Sequence, residues 1–174
     1  EHVFPGCGGK IAYVFMTDGD EYVDGTWEPN GGENAVIIQP GGTPSLAVAE
    51  IANGPTLQNY VAIPDEDRLQ PRDVVLTVES TLGEDPDFIP QDRASELPLD
   101  QQEQYADALT GNKIGGTPGF LQNDEFPDEE QSWTLLLQLD SSQVPFQVNF
   151  GDCGIAYAFI NKDATIGKFL WQCG

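Results

Sequence analysis

The chain has 174 residues, enough for one domain that buries roughly 70% of the surface its unfolded form would expose. Its 29 Asp and Glu residues face only 7 Lys and Arg residues, which gives a formal net charge of -22. A field of this sign repels nucleic-acid phosphate and anionic lipid, so we expect neither nucleic acid nor a membrane surface as a partner. The charge leaves three interpretations open: a basic protein partner, bound divalent cations, or solubility, including solubility in a salty cell interior.

Composition also bears on fold class and compartment. Gly 19 and Pro 13 are high counts for a helical protein and favour many turns, while 39% hydrophobic residues indicate a folded core. Three cysteines, without the paired spacing of a secreted disulfide framework, predict a reducing cytoplasm. The first residues show no signal peptide, and no apolar run approaches the roughly 20 residues that span a bilayer.

The first 25 residues contain the candidate metal ligands. Asp18, Asp20 and Asp24 stand at positions one, three and seven of an EF-hand count, but Val23 replaces the required Gly and Pro29 the final Glu. The calcium motif is therefore incomplete, and a solvated turn is the favoured interpretation, with these three aspartates as candidate calcium ligands. A zinc site would need His2 and Cys7 together with Cys153 and Cys173, and reduced structural cysteines are the commoner case.

The middle of the chain alternates between short strands and acidic loops. Turn residues separate apolar runs that predict four strands: Ala35–Gln39, Ser45–Ile51, Thr56–Ile63 and Val74–Val78. Residues 83–98 read as an irregular excursion. A helix is predicted over residues 99–110, with Leu99, Tyr105, Ala106 and Leu109 as its apolar stripe and Gly111 as its end.

The last quarter of the chain is the densest in apolar residues and predicts an antiparallel meander. Trp133–Leu139 is a continuous apolar run typical of a central strand, and Pro145–Phe150 alternates with the period of two of a half-buried strand. Ile155–Ile160 and Phe169–Trp171 complete the meander.

A strand module recurs in the sequence. Ile11–Met16 matches Ile155–Ile160 at four of six positions, and Ala35–Gln39 resembles Thr134–Leu139. We therefore predict an α+β fold, predominantly antiparallel β, with internal duplication of a strand module and one main helix. The two sheet modules are expected at about 1–80 and 113–174, within one domain.

Four blocks in the second half carry a family resemblance. Residues 113–118 read Lys-Ile-Gly-Gly-Thr-Pro, 135–141 Leu-Leu-Leu-Gln-Leu-Asp-Ser, 151–157 Gly-Asp-Cys-Gly-Ile-Ala-Tyr and 169–173 Phe-Leu-Trp-Gln-Cys. In order and spacing the chain resembles the YwqG-like bacterial family of unknown function. The resemblance implies a cytoplasmic, β-rich α+β fold with internal duplication, and the toxin-rich neighbourhoods of some relatives imply an immunity role. Where some relatives have Cys-x-x-Cys, this chain has Asp128-Glu129-Glu130-Gln131, which counts against a metal site there.

These observations favour a non-enzymatic interaction module, immunity- or inhibitor-like toward a basic protein. The alternatives are a divalent-cation-stabilised or halophilic structural protein and a carboxylate-based hydrolase. His2 is the only histidine, so a histidine-based triad is disfavoured. Among the many carboxylates, Asp140 and Asp152 flank the core strands and are the two hydrolase candidates, although turn roles suit them better.

Overall fold

The computed structural model describes residues 3–17, 25–29, 31, 34–41, 57–64 and 66–174. Within these ranges the chain forms eight strands and two α-helices, of which the second is the main one. The strands are β1 (Ile11–Phe15), β2 (Ala35–Gln39), β3 (Gln58–Ala62), β4 (Leu69–Asp73), β5 (Lys113–Ile114), β6 (Trp133–Asp140), β7 (Ile155–Asn161) and β8 (Gly167–Gln172). The helices are α1 (Gln91–Ala94) and α2 (Leu99–Ala108). None of the helices in these ranges is long and apolar enough to cross a membrane.

All strand pairings in the described residues are antiparallel. The largest sheet has the order β5-β6-β7-β8, so its last three strands form an antiparallel meander that lacks the predicted strand Pro145–Phe150. Two further sheets are the pairs β1–β2 and β3–β4. The predicted fold class, α+β with antiparallel sheets, paired strand modules and one main helix, is confirmed.

The β1–β2 pair and the β7–β8 pair have the same register. Ile11 lies opposite Gln39 as Ile155 lies opposite Gln172, and the next positions along correspond in the same way. The counterpart of β2 is therefore β8, whereas the sequence comparison matched β2 with the β6 segment. Both β6 and β8 are apolar strands that flank β7. The sequence alone therefore offered two similar counterparts for β2, the strand that pairs with β1. We call β1–β2 the N-terminal pair and β7–β8 the C-terminal pair.

The two pairs contribute to one hydrophobic core through equivalent faces. Val36 of β2 is buried with Ala156 and Ala158 of β7 and Phe169 and Trp171 of β8. Because side chains alternate along a strand, each pair turns the opposite face, here called its outer face, away from this core. In the C-terminal pair the outer face is buried as well, in a second cluster with Leu135 of β6.

Two predicted strands are wrong. Val74–Val78 has no ladder partner, and Val75 is 99% exposed, since this run has no sheet face against which to bury its side chains. The strand lies earlier, at β4, where the turn after β3 brings Arg68 back so that its carbonyl accepts from the Ile63 amide at 3.2 Å. The predicted strand Ser45–Ile51 lies outside the described residues.

Pro145–Phe150 is the second wrong strand. Its alternation does report burial, because Phe150 is buried and Val148 packs on the same core. The backbone, however, lies in no ladder: the Gln147 amide donates to the Gln58 carbonyl at 2.6 Å, and the rest of the run is irregular. Side-chain periodicity thus predicted the buried positions but not the strand.

Candidate functional site

Residues 113–118, the first block of the family resemblance, tie the excursion of residues 83–98 to the sheet. The carboxylate of Asp85 accepts from the Lys113 ammonium at 2.8 Å and from the Thr117 amide at 2.9 Å. The Thr117 hydroxyl donates to the carbonyl of Pro86 at 2.6 Å. Gly116 has a φ of +81°, and a Cβ there would collide with the Asp85 carboxylate. The position therefore needs glycine both for its positive φ and for its lack of a side chain.

Gln138, in the second block, is a fully buried amide that holds the end of α2. Its Nε2 donates to the carbonyls of Leu109 and Gly111 at 2.9 and 3.0 Å, and its Oε1 accepts from the Gly119 amide at 2.8 Å. The residue that interrupts the leucine run is therefore a connector between the sheet and the loop above it. Buried amides are stable only when paired in this way.

Tyr157 and Gln172, in the last two blocks, form hydrogen bonds with the backbone of residues 119–123. The Tyr157 hydroxyl donates to the Gly119 carbonyl at 2.8 Å, and both Tyr157 and Gln172 accept from the Leu121 amide, at 3.0 and 2.9 Å. Burial raises the pKa of Tyr157 well above its ordinary value, so the side chain serves as a neutral hydroxyl. Gln172 also donates to the Asn123 carbonyl at 2.8 Å.

Aromatic side chains complete the cover of this outer face. Phe120 and Phe126 pack edge to face at 5.3 Å between ring centroids, and Phe88 meets Phe126 at the same distance. Phe120 also lies 5.2 Å from the Tyr157 ring. The blocks that carry the family resemblance thus build a closed interior in which each of these polar side chains has a hydrogen-bond partner within the protein.

Of the two hydrolase candidates, Asp140 is the last residue of β6 and Asp152 lies in the turn before β7. Asp140 caps a short 3-10 turn, accepting from the Ser142 amide and hydroxyl at 2.9 and 2.6 Å and from Gln143 Nε2 at 2.7 Å. Asp152 lies beside Cys153, and its hydrogen bond and charge raise the pKa of the Cys153 thiol. A raised pKa lowers the thiolate fraction, which makes Cys153 a weaker nucleophile than an ordinary cysteine.

The candidate metal ligands are not tested by the structure. Asp18, Asp20, Asp24 and His2 all lie outside the described residues. Within the part of the chain that is described, no group of three or more His, Cys, Asp or Glu side chains is placed to hold a metal ion. Calcium binding therefore stays a prediction.

A cavity of about 420 Å³ lies where residues 4–12 meet the main sheet. Its wall includes Cys7, the Gly8-Gly9 backbone and Lys10 on one side, and Leu136 and Ile160 on the other. The Lys10 ammonium donates to the backbone carbonyls of residues 163 and 164, at 2.5 and 2.9 Å. Lys10 thereby fastens the loop before β1 to the turn after β7.

The charge is segregated along the chain, which total composition did not reveal. Residues 84–130 contain 13 acidic and 2 basic residues, a net of -11, whereas residues 131–174 contain 3 acidic and 2 basic residues, a net of -1. The meander is thus a nearly neutral scaffold. Counting charge by segment would have found this signal in the sequence.

From residue 92 onward, the exposed carboxylates of the charged segment lie on α1, in the turn after it, on α2 and in the loop 122–130. Asp100, Glu103 and Asp107 follow the i, i+3, i+7 spacing of one helix face. Gln91 joins the loop to α1, because its amide donates to the Asp124 carboxylate at 2.7 Å and its side chain to the Gln122 carbonyl at 3.1 Å. We call the exposed set the acidic face: Asp92, Glu96, Asp100, Glu103, Asp107, Asp124, Glu129 and Glu130.

Comparison with known families matches most of the chain. The family model described as "Domain of unknown function (DUF1963)" covers residues 34–168. The chain belongs to this family. The DUF1963 match includes β2 to β7 and the whole acidic face, so the charged surface is carried on the family's domain rather than on an appendage. No curated protein matches the chain significantly.

Proposed function

We propose that this protein is a non-enzymatic binding module whose acidic face docks onto a basic protein. The observation that carries the proposal is the segregation of charge: a net of -11 over residues 84–130 beside a meander with a net of -1. Eight exposed carboxylates on two helices, in the turn between them and in one loop, with Arg93 as the exposed cation on α1, form a predominantly negative field. Such a field raises the rate at which an oppositely charged partner is encountered.

The scaffold under the acidic face supports docking without rearrangement. Asp85, Gln138 and Gln172 fix the loops around the face through paired buried or half-buried groups. A surface that is already ordered loses little conformational entropy on binding, which favours affinity. Within this proposal the module acts in the cytoplasm, its partner is a toxin-like basic protein, and the family relationship is specifically YwqG-like.

The test is capture from extract followed by neutralisation of the face. The immobilised chain should retain a basic protein that moderate salt releases, because exposed ion pairs are screened. Asp100→Asn, Glu103→Gln and Asp107→Asn together should slow association by about tenfold at low salt.

The matched control removes the same charge elsewhere. Asp67→Asn, Glu79→Gln and Asp163→Asn together neutralise three exposed carboxylates outside the acidic face. Association of this variant should stay within about twofold of the parent, since only long-range charge is altered. Equal effects of the two triples, or the absence of any salt-released basic protein, would reject the acidic face as the docking site.

A further inference from the structure

The outer face of the N-terminal pair is apolar and half exposed. Ile11, Tyr13 and Phe15 of β1 are 50%, 45% and 52% exposed, and Ile37 of β2 is 53% exposed. Their counterparts in the C-terminal pair, by the shared register, are Ile155, Tyr157, Phe159 and Leu170. Of these counterparts, Tyr157, Phe159 and Leu170 are fully buried. The outer face of the C-terminal pair is therefore covered, whereas the outer face of the N-terminal pair is half exposed.

The C-terminal pair shows which kind of polypeptide segment covers an outer face of this type. The edge of β7 that faces away from β8 pairs with β6, a leucine-rich strand. Above the face, Tyr157 and Gln172 accept from a backbone amide of the segment that carries Phe120. The occupant is thus a polypeptide that supplies a strand to the edge and a backbone donor to the Tyr and Gln pair.

The N-terminal pair has an unpaired strand edge of the same kind and the same Tyr and Gln side chains. Among the described residues, β1 pairs with β2 alone, so its other edge has no ladder partner there. Tyr13 and Gln39 occupy the positions of Tyr157 and Gln172, and the Tyr13 hydroxyl donates to Gln39 Oε1 at 3.1 Å. An apolar edge strand of this kind is a template for strand addition.

We propose that the outer edge of β1 and the outer face of the N-terminal pair bind an extended, leucine-rich segment of a positively charged polypeptide as an added strand. The charge of the occupant follows from complementarity: a chain with a net of -22 repels a second copy of itself and attracts a cationic segment. The proposal shares the basic character of the partner with the proposed function, but it concerns a different surface.

The test uses a synthetic peptide that repeats Trp133–Asp140, the strand found at the equivalent edge, with two lysines added at each end. This peptide should bind the full chain saturably at one to one in fluorescence anisotropy. Hydrogen exchange of the β1 amides should slow on peptide addition, because ladder hydrogen bonds protect them. The control peptide carries Leu135→Pro and Gln138→Pro, which remove two donors and prevent regular pairing, and it should bind at least tenfold more weakly.

Protein variants locate the site. Ile37→Lys places a charge in the outer face and should weaken binding at least tenfold, whereas Val75→Lys, at a 99% exposed position, should leave it unchanged. Tyr13→Ala provides a second variant of the face if Ile37→Lys alters the circular dichroism spectrum. The triple variant of the acidic face should keep the slowed exchange in β1, so failure of one surface is distinguishable from failure of the other.

Several results would overturn the proposal. They are the absence of saturable binding, equal binding of the proline peptide, and unchanged binding by Ile37→Lys and Tyr13→Ala. Protection of every β1 amide without peptide would assign the edge to another part of the same chain if independent of concentration. If that protection increased with concentration, it would assign the edge to a second copy.

Discussion

At the scale of single residues, the side chains that join the loops to the main sheet most extensively are the uncharged amides of Gln138 and Gln172 rather than the many carboxylates. Gln172 is 3% exposed and makes hydrogen bonds to the backbone of residues 121–123 and to Glu125 Oε2. Gln138 plays the same part at the end of α2. Each amide bonds several backbone groups that are partly or fully buried, so its loss leaves those groups without their partner in the protein.

Gln172→Leu keeps the side-chain volume but removes these hydrogen bonds. The Gln122 amide and the Asn123 carbonyl lose the protein partner they have in the parent, and we expect unfolding to become easier by about 2 kcal/mol. The measurement is urea denaturation followed by circular dichroism. Gln143→Leu, at an exposed position, should change stability by less than about 0.5 kcal/mol. Similar values for the two variants would contradict the connecting role of Gln172.

At the scale of elements, sequence patterns predicted the apolar strands, including the largely exposed β1, and missed the polar β4 and the two-residue β5. The long apolar segments of β6 and β7 were identifiable because their burial on both faces leaves an uninterrupted apolar run. β4, with the sequence Leu-Gln-Pro-Arg-Asp, is exposed throughout and has no such pattern. Its pairing depends on the turn that follows β3, which periodicity does not encode.

The helix illustrates how the candidate site was only partly predictable. α2 was predicted in place, but Leu99 of its expected apolar stripe is 76% exposed, and of the stripe only Leu109, just beyond the helix, is fully buried. The helix lies on the surface and is held by hydrogen bonds, from Gln138 just beyond its C-terminal end and through its own Gln102 and Tyr105 to the residues before it. The acidic face could not be predicted from the helix alone, because it includes the loop 122–130, which contacts α1 through Gln91. That contact joins segments 31 residues or more apart in sequence.

Asp85→Ala should release the excursion before α1 from the sheet. Asp85 and Lys113 are 21% and 15% exposed as side chains, so removing the carboxylate leaves a half-buried ammonium and the Thr117 amide without this acceptor. We expect a loss of about 1–3 kcal/mol and faster hydrogen exchange at the Thr117 amide. Asp87→Ala, two residues away at an exposed position, is the control and should alter neither. Unchanged exchange at Thr117 in Asp85→Ala would show that the connection is dispensable.

At the scale of the whole molecule, unbalanced charge opposes the compact state. The acidic residues outnumber the basic ones by 22, and the opposing cations are few and widely spaced. Self-repulsion of this kind is reduced by counterions at any ionic strength above that of pure water, with a screening length of about 10 Å at 0.1 M salt. Stability should therefore depend on salt more than it does in a protein of balanced charge.

The melting temperature should rise with potassium chloride and reach the same value in calcium chloride at matched ionic strength. Screening acts through ionic strength alone, whereas a specific site would respond to stoichiometric calcium by mass action. Differential scanning calorimetry with and without chelator distinguishes the two. A rise at stoichiometric calcium that Asp18→Asn, Asp20→Asn and Asp24→Asn together abolish would instead establish the divalent-cation alternative.

The contact between two tryptophans provides a spectroscopic signal that reports whether the N-terminal pair is packed on the meander. Trp27, which follows β1, meets Trp171 of β8 edge to face at 6.0 Å, and the Trp171 indole donates to the Thr26 hydroxyl at 3.4 Å. Excited states of indoles at this separation couple, so their near-ultraviolet dichroism depends on the two rings remaining together. A change of that signal, with far-ultraviolet dichroism unchanged, would mark the moment at which the first strand pair separates from the meander while each remains folded.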